Sequence, residues 1–249
     1  CREDLTAEHG LSLYIETGEH RILFDAGQSG AFARNAAELG VDLTQVDTAV
    51  LSHGHYDHGG GLSRFLEINR SAPVWMNPHA FEPHYNAADK YIGLAETLAG
   101  NSRIRYGQEI QSIGAGMTLY SSIPCPRGIQ PFGLTVRQKN ALVPEDFRHE
   151  QYLLIEEPLS KGGKRVLISG CSHAGILDIV EWFSPDVLIG GFHVSRMALG
   201  EELTALGDAL AAHSTDYYTC HCTGEAQYAF LRGRMPRLRY LAGGETVIL

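Results

Sequence analysis

Hydrophobic residues recur along the chain with two different spacings, one typical of strands and one typical of helices, and segments of the two kinds alternate. Short segments with apolar residues at every second position, or with continuous apolar residues, predict strands, and apolar residues three or four apart predict helices. The predicted strands are 11–16, 21–25, 46–51, 74–76, 103–106, 117–121, 133–137, 151–156, 165–169, 186–190 and 217–219, with a final hairpin over 237–249. The predicted helices are 31–39, 62–69, 174–183, 201–213 and 225–234.

Two stretches break this alternation. Residues 77–101 are predicted to be mostly helical or irregular, and a cluster of Pro124, Pro126 and Pro131 predicts an irregular loop. The rest of the pattern, strands alternating with helices plus long antiparallel stretches, predicts two sheets with helices on their outer faces. A length of 249 residues suits one large domain or two small ones.

The segment from Leu51 to Leu62 concentrates side chains that can bind a metal ion. Three of the twelve histidines, His53, His55 and His58, fall within six residues, with Asp57 between them. A predicted buried strand precedes them and a glycine run follows, so they lie in a strand-to-helix loop, where site residues are common. Imidazole and carboxylate ligands suit zinc, iron or manganese. In extended backbone the two alternating histidines point the same way, and the following Asp-His pair can face a second metal.

Composition narrows the class of partner. A net charge of −9 argues against a general nucleic-acid or membrane-surface binder. It permits a phosphorylated small molecule, because a metal centre supplies local positive charge. No apolar run approaches the roughly 20 residues that span a bilayer. Three of the five cysteines, Cys171, Cys220 and Cys222, lie in motif segments, which favours reduced thiols. We therefore expect a cytoplasmic protein with a small-molecule substrate and neither nucleic acid nor membrane as partner.

The His-x-His-x-Asp-His pattern after an apolar strand resembles the signature of the metallo-β-lactamase superfamily. Four further segments resemble one branch of it, often named for a dihydropterin ribofuranosylaminobenzene phosphate synthase of methanopterin biosynthesis. These segments are Leu23–Gly30, Ile168–His173, Gly190–His193 and Cys220–Gly224. The resemblance runs from about Glu8 to the C-terminus. It implies an α/β (α+β) fold, a four-layer αβ/βα sandwich, formed by residues 1–249 as a single domain. The insertion around 77–101 is then a candidate lid, with a solvent-exposed helical excursion as the alternative.

The resemblance also implies a binuclear centre that holds two divalent metal ions, with zinc expected and iron or manganese as alternatives. Asp25 would support the metal-binding loop without binding metal. Carried over residue by residue, the ligands are His53 and His55 for the first metal, and Asp57, His58 and His221 for the second.

The ligands expected between His58 and His221 depart from the general pattern of the superfamily. In that pattern a histidine precedes a Gly-Asp pair whose aspartate bridges the metals. Here the strand ends in Gly170-Cys171. We predict that His173 supplies the missing imidazole, because the Gly-Cys-Ser-His unit is typical of the branch, and His149 is the competing candidate. Cys171 is either an additional thiolate ligand or a small buried residue that turns the chain. His193 ends the next predicted strand and is interpreted as a substrate-binding or proton-transfer group, with a structural histidine as the alternative.

These features predict a metal-dependent hydrolase that activates water against an ester, lactone or phosphate ester of a small molecule. Asp57 and His193 are the candidate catalytic residues, the first to orient the nucleophile and the second to donate to the leaving group or to a substrate phosphate. Three alternatives remain. The first is a synthase acting on a pterin or ribosyl phosphate. The second is an iron redox or sensing protein in which the motif cysteines tune the iron, and the third is a binding protein with a structural metal. A full ligand set argues against the last, because structural sites are usually closed and mononuclear.

Overall fold

The computed structural model describes Arg2 and residues 4–122, 133–156 and 162–249. The predicted proline loop lies outside these residues. The chain divides into two compact units. The first comprises residues 1–108, 131–151 and 242–249, and the second comprises residues 109–130 and 152–241. That residues 1–249 form one domain stays a prediction.

The first unit contains a five-stranded sheet in the order β1-β2-β3-β4-β6 and a three-stranded sheet in the order β10-β9-β5. In the larger sheet β1 is antiparallel to β2, and the other neighbours are parallel. The small sheet is antiparallel throughout. The strands are β1 (Leu13–Glu16), β2 (Arg21–Phe24), β3 (Thr48–Val50), β4 (Val74–Met76), β5 (His84–Tyr85), β6 (Ile104–Tyr106), β9 (Thr135–Gln138) and β10 (Ala141–Pro144).

Three helices belong to the first unit: α1 (Ala31–Glu38), α2 (Tyr56–Gly59) and α3 (Leu62–Ile68). Apolar side chains of α1 and α3, among them Phe32 and Phe65, pack on Leu23, Val74 and their neighbours in one buried cluster. Burial of this stripe fixes the helices on the sheet. The loops after the parallel strands β2 and β3 consequently leave the same edge, the usual place for a site in a sheet of this kind.

The second unit contains a seven-stranded sheet in the order β15-β14-β13-β12-β11-β8-β7. Strands β12 to β15 are mutually parallel, and β11 is antiparallel to β12. The strands are β7 (Ile110–Gly114), β8 (Met117–Ser121), β11 (Gln151–Glu156), β12 (Arg165–Ile168), β13 (Val187–Gly190), β14 (Asp216–Thr219) and β15 (Leu238–Tyr240). The helices α4 (Ile176–Phe183), α5 (Glu201–Ala211) and α6 (Glu225–Arg232) bury their apolar faces with this sheet in a second cluster.

The structure corrects three predictions of secondary structure. The final hairpin predicted over 237–249 is wrong. Only β15 forms there, and it pairs parallel to β14, because the intervening helix α6 carries the chain back to the end of the sheet at which β14 begins. Strands β7 and β10 were not predicted. Residues 77–101 are largely irregular as expected, but they contain β5, which pairs with β9, and a short 3-10 helix at Glu96–Leu98. Among the described residues, no helix is both long and apolar enough to cross a membrane.

A glycine at the start of α3 provides a test of this packing. A Cβ atom at Gly61 would lie 2.0 Å from the carbonyl oxygen of Ala26 and 2.6 Å from that of Ser29. We expect Gly61→Ala to lower the free energy of unfolding by about 1–3 kcal/mol, because backbone atoms must move apart. Urea unfolding measures the effect. Gly100→Ala is the matched control, since nothing lies within 4 Å of its Cβ position, and equal stabilities of the two variants would contradict the packing described.

Candidate metal centre

The loop after β3 brings together the four predicted ligands of the first unit. The ring centroid of His53 lies 4.6 Å from that of His55 and 4.1 Å from that of His58. Asp57 and His58 lie in the single turn of α2, with His58 Nε2 3.7 Å from Asp57 Oδ2. All four residues are buried. Three imidazoles and a carboxylate therefore converge in a volume shielded from water.

Asp25 anchors this loop from the end of β2. Its buried carboxylate accepts hydrogen bonds from Ser52 N–H at 2.7 Å, from Ser52 Oγ–H at 2.7 Å and from His58 Nδ1–H at 2.6 Å. Asp25 itself adopts the left-handed region with φ of 60°, a conformation that is strained for most residues but tolerated by Asp and Asn. The predicted supporting role of Asp25 is thus matched by three direct contacts, and Ser52, interpreted from the sequence as a turn residue, is part of the same network.

These hydrogen bonds fix the tautomers of two histidines. Because Ser52 donates its hydroxyl proton to Asp25, its oxygen accepts from His53 Nδ1–H, which lies 2.8 Å away. His58 likewise uses Nδ1–H for Asp25. Each ring is left with a lone pair on Nε2. Histidine ligands of metals are commonly oriented through the other ring nitrogen in this way.

His9 adds a further imidazole beside the loop. Its exposed ring places Nε2 3.3 Å from Asp57 Oδ2. The neighbouring Glu8 carboxylate instead accepts Ser29 Oγ–H at 2.5 Å, which holds the loop after β2. A site role for His9 is difficult to recognise from the sequence, because His9 lies 44 positions before His53 with no recognisable spacing.

In the second unit, the loops after β12, β13 and β14 bring together three predicted site residues, Cys171, His173 and His193, and the thiol of Cys222. The rings of His173 and His193 lie 4.1 Å apart. His193 N–H donates to Cys222 Sγ at 3.3 Å, and Cys222 Sγ lies 3.6 Å from the carbonyl oxygen of Cys171. Metal-binding atoms of Cys171, His193 and Cys222 all lie within 4.8 Å of one another. Cys222 was not among the predicted site residues, although it belongs to the Cys-His-Cys motif.

The environment of Cys222 favours a thiolate. Burial raises its pKa, but hydrogen bonding with Cys171 and His193 and the nearby imidazoles of His221 and His193 lower it further, so that the pKa is held well below its usual value. A thiolate is the form that binds metals. Cys171, Cys220 and Cys222 are buried and none forms a disulfide, as the sequence predicts.

Left-handed backbone marks the ends of three successive strands in the second unit. Ser172 follows β12 with φ of 60°, His193 follows β13 with φ of 54°, and His221 follows β14 with φ of 47°. The last of these opens a short 3-10 turn at His221–Thr223. Such strained conformations in non-glycine residues occur preferentially at functional sites. The strained backbone supports a functional role for the residues at all three strand ends.

One cluster in the first unit was missed from the sequence. His84, Glu145 and His149 are buried beside His55, and metal-binding atoms of the four lie within 4.8 Å of one another. His149, the competing candidate for the missing ligand, accepts a hydrogen bond from Gly54 N–H through Nδ1 at 2.8 Å.

The donor set of the first unit fits a divalent transition metal. His53 Nε2 and His58 Nε2 carry lone pairs, Asp57 supplies a carboxylate, and Asp25 and Ser52 hold the two rings from behind. Imidazole and carboxylate donors in a buried, pre-oriented arrangement are characteristic of zinc, iron and manganese sites.

Comparison with known proteins identifies the family. The family model of the metallo-β-lactamase superfamily matches residues 5–142. The chain belongs to this superfamily. The fold of the superfamily generally binds divalent metals, which agrees with the clusters of His, Asp and Cys described above.

Relatives from the superfamily extend the match over nearly the whole chain. The solved structure of Tm1679, described as a metal-dependent hydrolase of the β-lactamase superfamily, is 26% identical with a TM-score of 0.83, covering 100% of this chain and 94% of that one. This likeness confirms the predicted α/β fold of the metallo-β-lactamase type. Two relatives come from Methanocaldococcus jannaschii. An uncharacterized protein is 29% identical, covering 88% of this chain and 85% of its own.

The second relative from that organism is the 7,8-dihydropterin-6-methyl-4-(β-D-ribofuranosyl)-aminobenzene-5'-phosphate synthase. It is 27% identical, covering 97% of this chain and 90% of its own. The branch of the superfamily predicted from the four motif segments is thereby confirmed.

The contacts of Asp25 lead to a test of the centre. Asn tolerates the left-handed backbone of Asp25 but cannot accept all three hydrogen bonds, so Asp25→Asn isolates the role of the carboxylate. We expect zinc affinity to fall about 10- to 100-fold, because His53 and His58 lose the group that sets their tautomers. Chelator competition measures it. Asp47→Asn, which alters a carboxylate of the same unit that accepts from Arg21 N–H, is the control; unchanged affinity in Asp25→Asn would contradict the tautomer assignment.

Proposed function

We propose that the protein is a metal-dependent hydrolase with a binuclear centre, acting on an ester, lactone or phosphate ester of a small molecule. The observation that supports this most directly is the convergence of His53, His55, Asp57 and His58, with the tautomers of two rings preset by Asp25. The proposal places the protein in the cytoplasm, with no nucleic acid or membrane as partner.

In this proposal His53 and His55 hold the first ion, and Asp57 and His58 hold the second together with His221. His173 supplies the sixth ligand, and Cys171 is the additional candidate. When bound, the two ions, zinc or else iron or manganese, supply Lewis acidity to the substrate and to a water nucleophile.

The chain's own side chains supply the remaining steps. The Asp57 carboxylate, which lies between His58 and His9, would accept a hydrogen bond from the water nucleophile. His193 is half-buried, and its ring beside His173 can donate a proton to the leaving-group oxygen or a hydrogen bond to a substrate phosphate. General acid and base groups placed in this way typically contribute 10²- to 10⁴-fold to the rate.

Two alternatives each have an observation in their favour. The likeness to the dihydropterin-related phosphate synthase favours a synthase acting on a pterin or ribosyl phosphate. The Cys171–His193–Cys222 cluster favours an iron redox or sensing protein, because thiolates are soft ligands that suit iron.

A substrate and metal panel separates these functions. The protein loaded with zinc, manganese or iron(II) is assayed on p-nitrophenyl acetate, acyl lactones and mono- and diesters of p-nitrophenyl phosphate, with metal-stripped protein as the control. Metal-dependent turnover of one class supports the hydrolase. Absence of turnover with every metal, together with reversible oxidation of bound iron, would overturn it.

Two substitutions in the loop test the proposed ligands. We expect His53→Ala and Asp57→Ala each to abolish hydrolysis while the variants remain folded, because loop ligands contribute little to core packing. Initial rates and thermal unfolding are measured side by side, with His20→Ala, a histidine of the same unit beside Asp47, as control. Retention of more than about a tenth of the activity, a barrier change under roughly 1.4 kcal/mol, would show that the residue is not essential.

The number of bound metal ions tests whether His173 or His149 completes the ligand set. Two metals with about three protein ligands each leave an open position, and five ligands come from the His53–His58 loop and His221. We therefore expect His173→Ala to lower the metal content from two ions towards one, and His149→Ala to leave the count unchanged. Cys171→Ser should alter metal preference more than occupancy, because it exchanges a soft ligand for a hard one. Elemental analysis decides; full content in His173→Ala with loss in His149→Ala would reverse the assignment.

A further inference from the structure

A buried polar network lies beside the metal-binding loop and, apart from His55, has no role in the function proposed above. It consists of His84 in β5, Glu145 directly after β10, and His149, with His55 of the loop at its edge. The side chains of His84, Glu145 and His149 are completely buried. The small sheet β10-β9-β5 places the first two together although they are 61 residues apart. Burying a carboxylate and three imidazoles is costly unless each polar atom is used.

Glu145 and His84 form the inner pair of this network. His84 Nδ1–H donates to Glu145 Oε2 at 2.7 Å. The His84 proton is therefore on Nδ1, and Nε2 carries a lone pair. That nitrogen is buried and has no hydrogen-bond partner among the residues described. The ring of His84 lies 5.4 Å from the ring of His55 in an edge-to-face arrangement, so the lone pair belongs to a ring adjoining a proposed metal ligand.

His149 holds the backbone of the loop. Its Nδ1 accepts from Gly54 N–H, the amide between His53 and His55, at 2.8 Å. An imidazole that accepts a hydrogen bond at Nδ1 carries its proton on Nε2 and is therefore neutral. The loop is held tightly here, since a Cβ at Gly54 would lie 2.1 Å from the Ala80 carbonyl oxygen.

The positions of the protons decide between a separate metal site and a supporting network. A cation needs lone pairs from all its ligands. Because His149 accepts at Nδ1, its proton is on Nε2, and that N–H lies 3.8 Å from Glu145 Oε1. The same carboxylate oxygen also accepts from Phe147 N–H at 3.3 Å. The protonated Nε2 of His149 has no hydrogen-bond partner among the described residues, and it has no lone pair to offer a cation, which argues against the coordination of an additional ion by this cluster.

We propose that Glu145, His84 and His149 are positioning residues for the metal centre: the Glu145–His84 pair orients the His55 ring, and His149 fixes the Gly54 amide. The inference rests on the proposed metal binding by His55. A histidine that binds metal through one ring nitrogen carries its proton on the other, and that N–H needs an acceptor. The lone pair of His84 is an acceptor in the adjoining ring, and the Glu145 carboxylate behind it holds the His84 ring in place.

Substitution of the carboxylate gives the first test. Glu145→Gln keeps the size of the side chain and removes its charge. Zinc affinity is measured by competition with a chromogenic chelator, zinc stoichiometry by elemental analysis, and the ligand field by the visible spectrum of cobalt(II)-loaded protein. We expect affinity about 10- to 100-fold weaker, an altered cobalt spectrum and an unchanged number of ions per chain. Asp47→Asn is the matched control, because it likewise neutralises a carboxylate of the same unit that lies beside a histidine, His20.

A second pair of variants keeps the test valid if Glu145→Gln fails to fold. His149→Asn retains an acceptor near the position of Nδ1, whereas His149→Leu removes it. Zinc affinity close to that of the unaltered protein in the first and weakened affinity in the second support the positioning role.

The contrary outcomes are distinct. Loss of one whole ion per chain in Glu145→Gln would overturn the proposal in favour of a separate metal site. Unchanged affinity in both Glu145→Gln and His149→Leu, with a change only in the unfolding temperature, would reduce the network to a structural role. Failure of the unaltered protein to bind zinc or cobalt would instead overturn the proposed function, and with it the assignment of His55.

Discussion

The buried carboxylate of Asp25 is the constraint on which the candidate centre depends. It accepts two hydrogen bonds from Ser52 and one from His58, and it joins the ends of the parallel strands β2 and β3. Hydrogen bonds to an ionised acceptor are stronger than neutral ones, and burial leaves no water to compete for it. One residue thus determines the path of the loop and the protonation of two imidazoles. Asp25 adopts a strained left-handed backbone conformation, which directs its carboxylate at both Ser52 and His58.

The loop is held from two sides by different chemistry. On the Asp25 side, an anionic carboxylate fixes the side chains of Ser52 and His58. On the other side, a neutral imidazole, His149, fixes a backbone amide, and a buried carboxylate, Glu145, lies one ring further back. The side chains and the backbone of the loop are therefore held by separate sets of contacts.

Sequence reasoning succeeded where the relevant residues are local. The run His53–His58 and the strand before it need only a window of a dozen residues, whereas the supporting role of Asp25 followed from the resemblance to the superfamily. His84 and Glu145 could not be found in this way, because their meeting depends on β5 pairing with β9 and β9 with β10, and a two-residue strand leaves almost no hydrophobic period. The hairpin predicted at 237–249 failed for a related reason. A single strand segment does not reveal whether its partner is its neighbour in sequence or, as for β15, a strand one helix earlier.

The two units supply donors of different softness, and this difference bears on the choice between hydrolase and iron protein. The first unit offers only imidazole and carboxylate, a set that accepts zinc, manganese or iron alike. The second unit adds Cys171 and Cys222, and the hydrogen bond from the His193 amide is one of the contacts that keep Cys222 close to its thiolate form. Hard ions such as manganese gain little from a thiolate, whereas zinc and iron gain much. The soft donors of the second unit therefore favour zinc or iron over manganese for any ion held by Cys171 and Cys222.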